Sequence, residues 1–427
     1  MNPFNSPFAR LGRRAWLAAL ALTAASVLIG CGGGSDDAPR LQATWTASPS
    51  DFNAPSLFGP VTPSYIENQT VRQVMRISAG GTGVRVRLSN LFGPAALTVD
   101  QVHVARSNGG TQIDTSTDLV LTFGGKQAVT IPAGEEAWSD VVAATLPSNI
   151  DVAVTLYIAG KMQIGTYHQL GVQQTYVASG NVAGAATLTP ITPNPTSYYW
   201  INGVDVQNTT ARGTIVAFGD SITDGFNSTI DGSKRYPNDL SSRVLANAGS
   251  AGYSVVNAGI SGNRILHDVF GPKAIDRFER DALLSTGASH VIVLIGINDI
   301  GFSNLIPSEV VTSDQITAGL QQLVDKAKGK SVKVYLATLT PFDHALGPDG
   351  NPSPYFDAPS EAKRQQVNAW IRANTAKADG VIDFDAALRD PNAPSKMRAA
   401  YDSGDHLHPN DQGYQAMATA IDLSLFR

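Results

Sequence analysis

The sequence predicts two architectures in one chain. Residues 41–210 read as an all-β domain of the sandwich or jelly-roll kind, and residues 211–427 as an α/β domain with a parallel sheet and helices on both faces. Three observations predict this. Short runs with period-two alternation crowd the first part, with no helical pattern between them. In the second part, strand-like apolar runs alternate with helical stretches. Polar or glycine-rich turns follow the first three of those strands and precede the last helix, which brings four turns to one edge of the sheet.

Two domains suit a chain of 427 residues, and an apolar fraction of 43% is enough for a sizeable core. The net charge is −5 and no basic block lies beyond the first residues, which argues against a nucleic-acid partner. Plentiful glycine and proline with few charged residues suit an exported, loop-rich protein.

The first 40 residues have their own logic. Arg10, Arg13 and Arg14 precede an apolar run over residues 15–29, too short for a comfortable membrane span and laid out like a signal peptide. The run ends Leu28-Ile29-Gly30-Cys31, which resembles a bacterial lipoprotein cleavage box. That resemblance implies removal of residues 1–30 and lipidation of Cys31, giving a membrane partner through an N-terminal lipid anchor. The competing reading is an ordinary signal peptide with an incidental cysteine. Arg13-Arg14 hints at twin-arginine export. Residues 31–40 open with glycines and read as a flexible tether. Gly32 after the cysteine is unlike an inner-membrane retention signal, so the expectation is the outer membrane of a diderm cell envelope, or a periplasmic or secreted protein if Cys31 carries no lipid. Cys31 is the single cysteine, so no intrachain disulfide forms.

In the β part, Val84-Arg85-Val86-Arg87-Leu88 alternates cleanly, and residues 71–77 form a similar run. Ala79-Gly80-Gly81-Thr82-Gly83 between them reads as a hairpin turn of glycines that take positive φ. Further strands are expected at 97–105, 119–123, 128–131, 141–146, 152–158, 174–178 and 198–206, and a loop over 181–196. Tyr198-Tyr199-Trp200 is either a sugar-stacking surface or buried core, and core is the expectation. His103 and His168 lack a partnered acidic or cysteine spacing, so neither is read as a metal ligand.

In the α/β part, strands are expected at 215–218, 253–257, 290–295, 332–339 and 381–384, and helices at 236–245, 274–284, 314–328, 359–374 and 411–425. The turns at the sheet edge are Gly219-Asp220-Ser221, Gly259-Ile260-Ser261-Gly262-Asn263, Gly296-Ile297-Asn298-Asp299 and Asp405-His406-Leu407-His408. Seen alone, Ser221 is either a nucleophile or a helix N-cap. Beside the other turns, a chemistry emerges. Ester hydrolysis needs an activated nucleophile, a base, an acid that orients the base, and donors for a tetrahedral oxyanion. Ser221 offers a hydroxyl, His408 can take its proton, and Asp405 can fix the histidine's tautomer. The Ser221 N–H, the Gly262 N–H and the Asn298 side-chain amide can serve as oxyanion donors.

These four turns, in this order, resemble the blocks of the SGNH/GDSL hydrolase family. Gly219-Asp220-Ser221 is similar to its first block, the stretch ending at Gly262 to its second, Gly296-Ile297-Asn298-Asp299 to its third and Asp405-His406-Leu407-His408 to its fifth. The resemblance covers about residues 212–427. It implies a flavodoxin-like three-layer α/β/α fold, Ser221, Asp405 and His408 as catalytic residues, an oxyanion hole of Ser221, Gly262 and Asn298, and ester hydrolysis with no metal and no cofactor. Asn263-Arg264 departs from the family's usual residues after the glycine and leaves specificity open. Trp45-Thr46-Ala47-Ser48-Pro49, Val71-Arg72-Gln73-Val74 and Arg87-Leu88-Ser89-Asn90 are similar to exported members with an N-terminal β-domain, some of which look like acetylxylan esterases.

The other polar residues receive structural expectations. His406 rivals His408, but its adjacency to Asp405 turns its side chain the other way. Asp220 is expected to brace its turn, Asp224 to sit in a first helical turn, and Asp299 to hold its loop. His267 and His290 are expected to be structural. His344 lies in the 341–355 segment, which can cover the site. Arg264 is either an acid-binding residue or a solvated rim residue, and the rim is favoured. The expected function is deacylation of a small ester, a carbohydrate ester foremost, through an acylated small-molecule or polysaccharide substrate. A lysophospholipase or long-chain esterase is the alternative, disfavoured by the lack of a long apolar lid helix. A lipid-anchored carbohydrate-binding protein with an inactive hydrolase domain is the alternative of another class.

Overall fold

The computed structural model describes residues 38–55, 63–191, 195–347 and 353–427. Cys31, the signal segment and the tether up to residue 37 lie outside them. The unit Ala38–Arg427 is compact and holds both the β-rich and the α/β parts.

Two large antiparallel sheets, with three smaller ones beside them, form the β part. One runs Arg40–Thr46, Ile201–Asn208, Gly81–Ser89, with Glu136–Trp138 and Val142–Leu146 both paired to the last. The other runs Thr175–Ser179, Gln69–Ile77, Ile150–Ile158, Gln101–Gly109. Alternation works as expected in Gly81–Ser89. Val84, Val86 and Leu88 enter a shared core with Val71, Met75, Val154 and Leu156 of the second sheet. Arg85 and Arg87 take the other face, where both guanidinium groups lie over the Trp138 ring.

The hairpin expected at residues 79–83 is not one. Gln69–Ile77 and Gly81–Ser89 belong to different sheets, so the segment crosses between them. Its glycines answer to close approach and not to positive φ. A Cβ on Gly80 would lie 2.1 Å from the Leu146 carbonyl oxygen, and one on Gly81 would lie 2.2 Å from that of Gln207. The run expected at 198–206 is split at Trp200, whose φ is +59°. Tyr198–Tyr199 pairs with Thr166–His168, and Ile201–Asn208 joins the first sheet. Tyr198, Tyr199 and Trp200 are all buried, which removes the sugar-stacking reading.

The α/β part carries a five-stranded parallel sheet. Its spatial order is Tyr253–Gly259, Gly213–Gly219, Ala288–Leu294, Lys333–Ala337, Gly380–Ile382, or 2-1-3-4-5 by chain order. This is the flavodoxin-like order, with its switch point between the first and third strands. The first strand is buried along Thr214 to Gly219 and read as a continuous apolar run because both its faces are covered. Gly219 pairs in register with Gly259 on one side and Leu294 on the other, so three strands end level. Helix Ser313–Gly329 opens with a capping box between Thr312 and Gln315 and buries Ile316, Leu320, Leu323, Val324 and Ala327. Helix Ile297–Leu305 was not expected: Gly296 (φ +127°) ends the third strand's turn at once, and Asn298 falls in a first helical turn.

The two parts are stitched together. The Ala43 N–H donates to the Thr286 carbonyl at 2.9 Å, and Thr46 Oγ1 donates to the Asn257 carbonyl at 2.7 Å. Val255 N–H donates to Ser78 Oγ at 3.1 Å. The β part therefore braces the second strand, which leads to Gly262.

Candidate active site

Gly219 permits the turn that presents Ser221. A Cβ there would lie 2.2 Å from Thr223 Oγ1 and 2.3 Å from the Leu294 carbonyl oxygen. Asp220 caps the single helical turn Ser221–Asp224, its Oδ1 accepting from the Ile222 N–H at 3.0 Å, and Gly225 (φ +99°) ends it. Ser221 is thus in a helical turn but is not its N-cap.

Ser221 Oγ lies 2.8 Å from His408 Nε2, and His408 Nδ1 lies 2.6 Å from Asp405 Oδ2. With a carboxylate at Nδ1, the ring proton sits there and the Nε2 lone pair faces the serine hydroxyl. Asp405 is itself held on every side. Its Oδ1 accepts from the Leu407 and His408 N–H groups at 3.0 and 2.8 Å and from Ser403 Oγ at 3.1 Å; Oδ2 also accepts from Asn227 Nδ2 at 3.0 Å. Burial pushes this carboxyl up, but the hydrogen bond from the His408 ring and those two amides outweigh it and hold it at about 2. The Phe226 ring sits 4.4 Å from that of His408, centroid to centroid. His406 turns away: its φ is +60° and its Nδ1 lies 2.6 Å from Asp402 Oδ2.

The second turn supplies Gly262 with φ +77°. Its neighbours are tied from both flanks. Asp224 Oδ2 accepts from the Ser261 N–H at 3.1 Å and from Ser261 Oγ at 2.9 Å. Asn298 Nδ2 donates to the Asn263 carbonyl at 3.0 Å. Asp299 does hold a loop, accepting from the Ile265 and Leu266 N–H groups at 2.8 and 3.1 Å. Burial pushes Asp299 up to about 6 in spite of those bonds. Arg264 is not a solvated rim residue, and its partner is a carboxylate of this chain and not an acidic substrate group. It is buried, paired with Glu309 at 2.5 Å, and its guanidinium lies over the Phe302 ring.

Ser221, Gly262, Asn298 and His408 line one cavity of about 210 Å³ with Phe226, Ser261, Phe302, Leu346, Tyr355 and Leu407. Its wall is chiefly apolar, with the Ser221 hydroxyl, the His408 imidazole and the Asn298 amide among its lining groups. The arrangement can activate a hydroxyl, hold a small acyl group beside it, and offer hydrogen-bond donors to a developing oxyanion. A second cavity of about 450 Å³ is lined by Asp343, His344, Asp390, Lys396, Asp402 and His406 together with Met397 and Ala399. Two segments wall both: His344 faces the second cavity and Leu346 the first, while His406 and Leu407 divide likewise. No group of three His, Cys, Asp or Glu side chains among the described residues could hold a metal ion.

Residues 217–416 match the family described as GDSL-like Lipase/Acylhydrolase. The C-terminal domain is a GDSL hydrolase domain. It is the domain of a carboxylic ester hydrolase, preceded here by a β-rich domain. No curated protein matches the chain. Solved structures similar to it include a putative lipolytic protein of the G-D-S-L family from Desulfitobacterium hafniense, 20% identical over 49% of this chain and 97% of that one, with a TM-score of 0.37. A putative acylhydrolase from Bacteroides fragilis is 25% identical over 50% of this chain and 86% of that one, with a TM-score of 0.37. An acetylxylan esterase from Geobacillus stearothermophilus is 22% identical over 51% of this chain and 94% of that one, with a TM-score of 0.38.

Several residues that shape the GDSL site carry no motif. Tyr355 donates its hydroxyl to Asn298 Oδ1 at 2.7 Å from a segment read only as a cover. Asn227 supports Asp405. Arg277, fully buried, donates to the carbonyls of Gly219 at 2.7 Å and Ala258 at 2.9 Å and to Asn263 Oδ1 at 2.8 Å. It ties the ends of the first and second strands to the turn carrying Gly262. His168 and His103 do have acidic partners, Asp224 and Asp118, but 56 and 15 residues away. Sequence spacing holds no signal for such pairs.

Proposed function

We propose that the protein removes short O-acyl groups, acetyl foremost, from a carbohydrate or another small polyhydroxy ester. Ser221 Oγ attacks the ester carbonyl carbon while His408 Nε2 takes its proton, and Asp405 steadies the imidazolium that results. The oxyanion is held by the Ser221 and Gly262 N–H groups and by Asn298 Nδ2. The tetrahedral intermediate collapses to an acyl-enzyme, and His408 passes its proton to the departing alkoxide. Water, deprotonated by His408, then attacks the acyl carbon and releases the carboxylic acid, and the proton returns to Ser221.

The observation that carries this reading is the Ser221–His408–Asp405 relay, at 2.8 and 2.6 Å, opening into an apolar cavity of about 210 Å³. A cavity of that size suits a few acyl carbons and not a long chain. The carboxylates, imidazoles and one ammonium group in the lining of the adjacent cavity support an alcohol side that bears many hydroxyls. The test is a series of aryl esters of increasing acyl length together with acetylated oligosaccharides. The reading expects the short acyl esters and the sugars to be the best substrates, and a preference for long chains overturns it in favour of a lipolytic enzyme.

We also propose that Cys31 carries a lipid that holds the enzyme at the cell envelope. The support is the residue pattern before Cys31 and the glycine tether after it. Metabolic labelling with a fatty-acid analogue should be lost in Cys31→Ser.

A further inference from the structure

The relay lies in the GDSL domain, yet one brace of its oxyanion turn reaches in from the β part. Strand Thr166–His168 delivers the His168 ring to the base of the turn that carries Ser221. The ring is 5% exposed. Its Nδ1 lies 2.9 Å from the Ser48 carbonyl oxygen, and its Nε2 lies 3.0 Å from Asp224 Oδ1 and 3.1 Å from the Leu170 carbonyl oxygen. All three partners are acceptors. Both ring nitrogens must therefore donate, and the ring is an imidazolium paired with the Asp224 carboxylate. Burial opposes the charge and Arg235 adds to that opposition, but Asp224 and the Ser48 carbonyl prevail and raise the ring's pKa above its ordinary value. The Tyr198 ring stacks beside it, 6.3 Å between centroids.

The pair leads to the oxyanion side. Asp224 uses Oδ1 for His168 and Oδ2 for the Ser261 N–H and hydroxyl, and Ser261 immediately precedes Gly262. Without a donor at Oδ1, the Asp224 side chain would lose the bond that fixes it and could turn, which alters its hold on Ser261.

We propose that His168 is a positioning residue of the esterase: it fixes Asp224, which sets the Ser261–Gly262 peptide so that the Gly262 N–H meets the oxyanion. The β part then completes the active site of the GDSL domain. This rests on Gly262 serving as an oxyanion donor, as proposed above. Nothing in the geometry gives His168 contact with the substrate, so its loss should act on turnover and leave ground-state binding alone.

The experiment compares wild type with His168→Leu, which keeps bulk but no donor, and His168→Gln, which can still donate to Asp224. Hydrolysis of a short aryl ester by wild type, abolished in Ser221→Ala, first establishes the reading on which the proposal rests. The expected result is then a kcat lowered by about 10- to 100-fold in folded His168→Leu with KM within about threefold, and most of that loss restored in His168→Gln. In wild-type protein, the nitrogen-15 shifts of the His168 ring should report protonation of both nitrogens up to a higher pH than in a free imidazole. A folded His168→Leu with wild-type kcat overturns the proposal, and so does a His168→Gln as impaired as His168→Leu. A His168 ring that loses its second proton at a lower pH than a free imidazole overturns it even if His168→Leu does not fold.

Discussion

The Tyr355 hydroxyl donates to Asn298 Oδ1 at 2.7 Å while the Asn263 carbonyl accepts from Nδ2 at 3.0 Å, and the two bonds together fix which way the amide points. With Oδ1 engaged, Nδ2 is left to face the Asn263 carbonyl and the cavity. Asn298 can then give a proton to an oxyanion and cannot repel it. Tyr355 holds its own place by edge-on packing against Phe302 and Phe342.

Removing that hydroxyl leaves the amide held only through Nδ2 by the Asn263 carbonyl. Tyr355→Phe should lower kcat on a short aryl ester by about tenfold with little change in KM, whereas Asn298→Ala should lower it by roughly 10²- to 10³-fold. Steady-state kinetics on the two variants check this. Equal losses would show that Tyr355 does more than orient Asn298.

Asp405 sets the histidine's tautomer. Asp405→Asn keeps the side chain's shape but can present an amide donor to His408 Nδ1, which would place the proton on Nε2 and block Ser221 activation. A kcat loss of about 10⁴-fold is expected, as for comparable triads. A pH–rate profile together with kcat separates this from unfolding.

Asp220 makes a prediction about stability. Burial, reinforced by the Asp299 charge, pushes its carboxyl up to about 7 in spite of the Ile222 amide bond, and its Oδ2 has no partner among the described residues. The folded protein therefore keeps a proton between about pH 4 and 7 that the unfolded chain has released, so this group's contribution to stability falls as pH rises through that window. Asp220→Asn retains the cap oxygen and cannot ionise. Its Tm should match wild type near pH 4 and exceed it by roughly 5 °C at pH 8. A difference independent of pH would contradict the assignment.

Leu346 closes the apolar cavity from a half-exposed position, so trimming it costs little stability. Leu346→Ala should raise activity on an octanoyl ester relative to an acetyl ester by about tenfold, read from kcat/KM across an acyl series.

Much of this site was legible in the sequence because its parts are local. A strand that stops at a glycine, a turn that must be tight, and an Asp-x-x-His spacing that lets one carboxylate cap and bind the same loop all leave marks within a few residues. The parallel sheet was legible for a similar reason, since burial on both faces makes its strands continuous apolar runs. The failures are pairings between distant segments. The glycines at residues 80 and 81 signal a close approach, but only the positions of Leu146 and Gln207 show that it is a crossing and not a hairpin. Arg264 reads as a surface cation until Glu309 arrives from 45 residues away to bury it. Tyr355, Arg277 and His168 act on the site through bonds to residues 57, 58 and 56 positions away, Asn298, Gly219 and Asp224 respectively. Helix Ile297–Leu305 was hidden because its first turn carries the polar residues of a loop.

The central claim is that Ser221 is a nucleophile activated by His408. It is tested most directly by treating the folded protein with a fluorophosphonate and locating the adduct by mass spectrometry. The account predicts one phosphonyl group per chain, on Ser221, with matching loss of aryl-ester hydrolysis, and no adduct in Ser221→Ala or in His408→Ala over the same time. Folded protein that hydrolyses the ester while Ser221 stays unmodified, or an adduct on another residue that accounts for the lost activity, would contradict it.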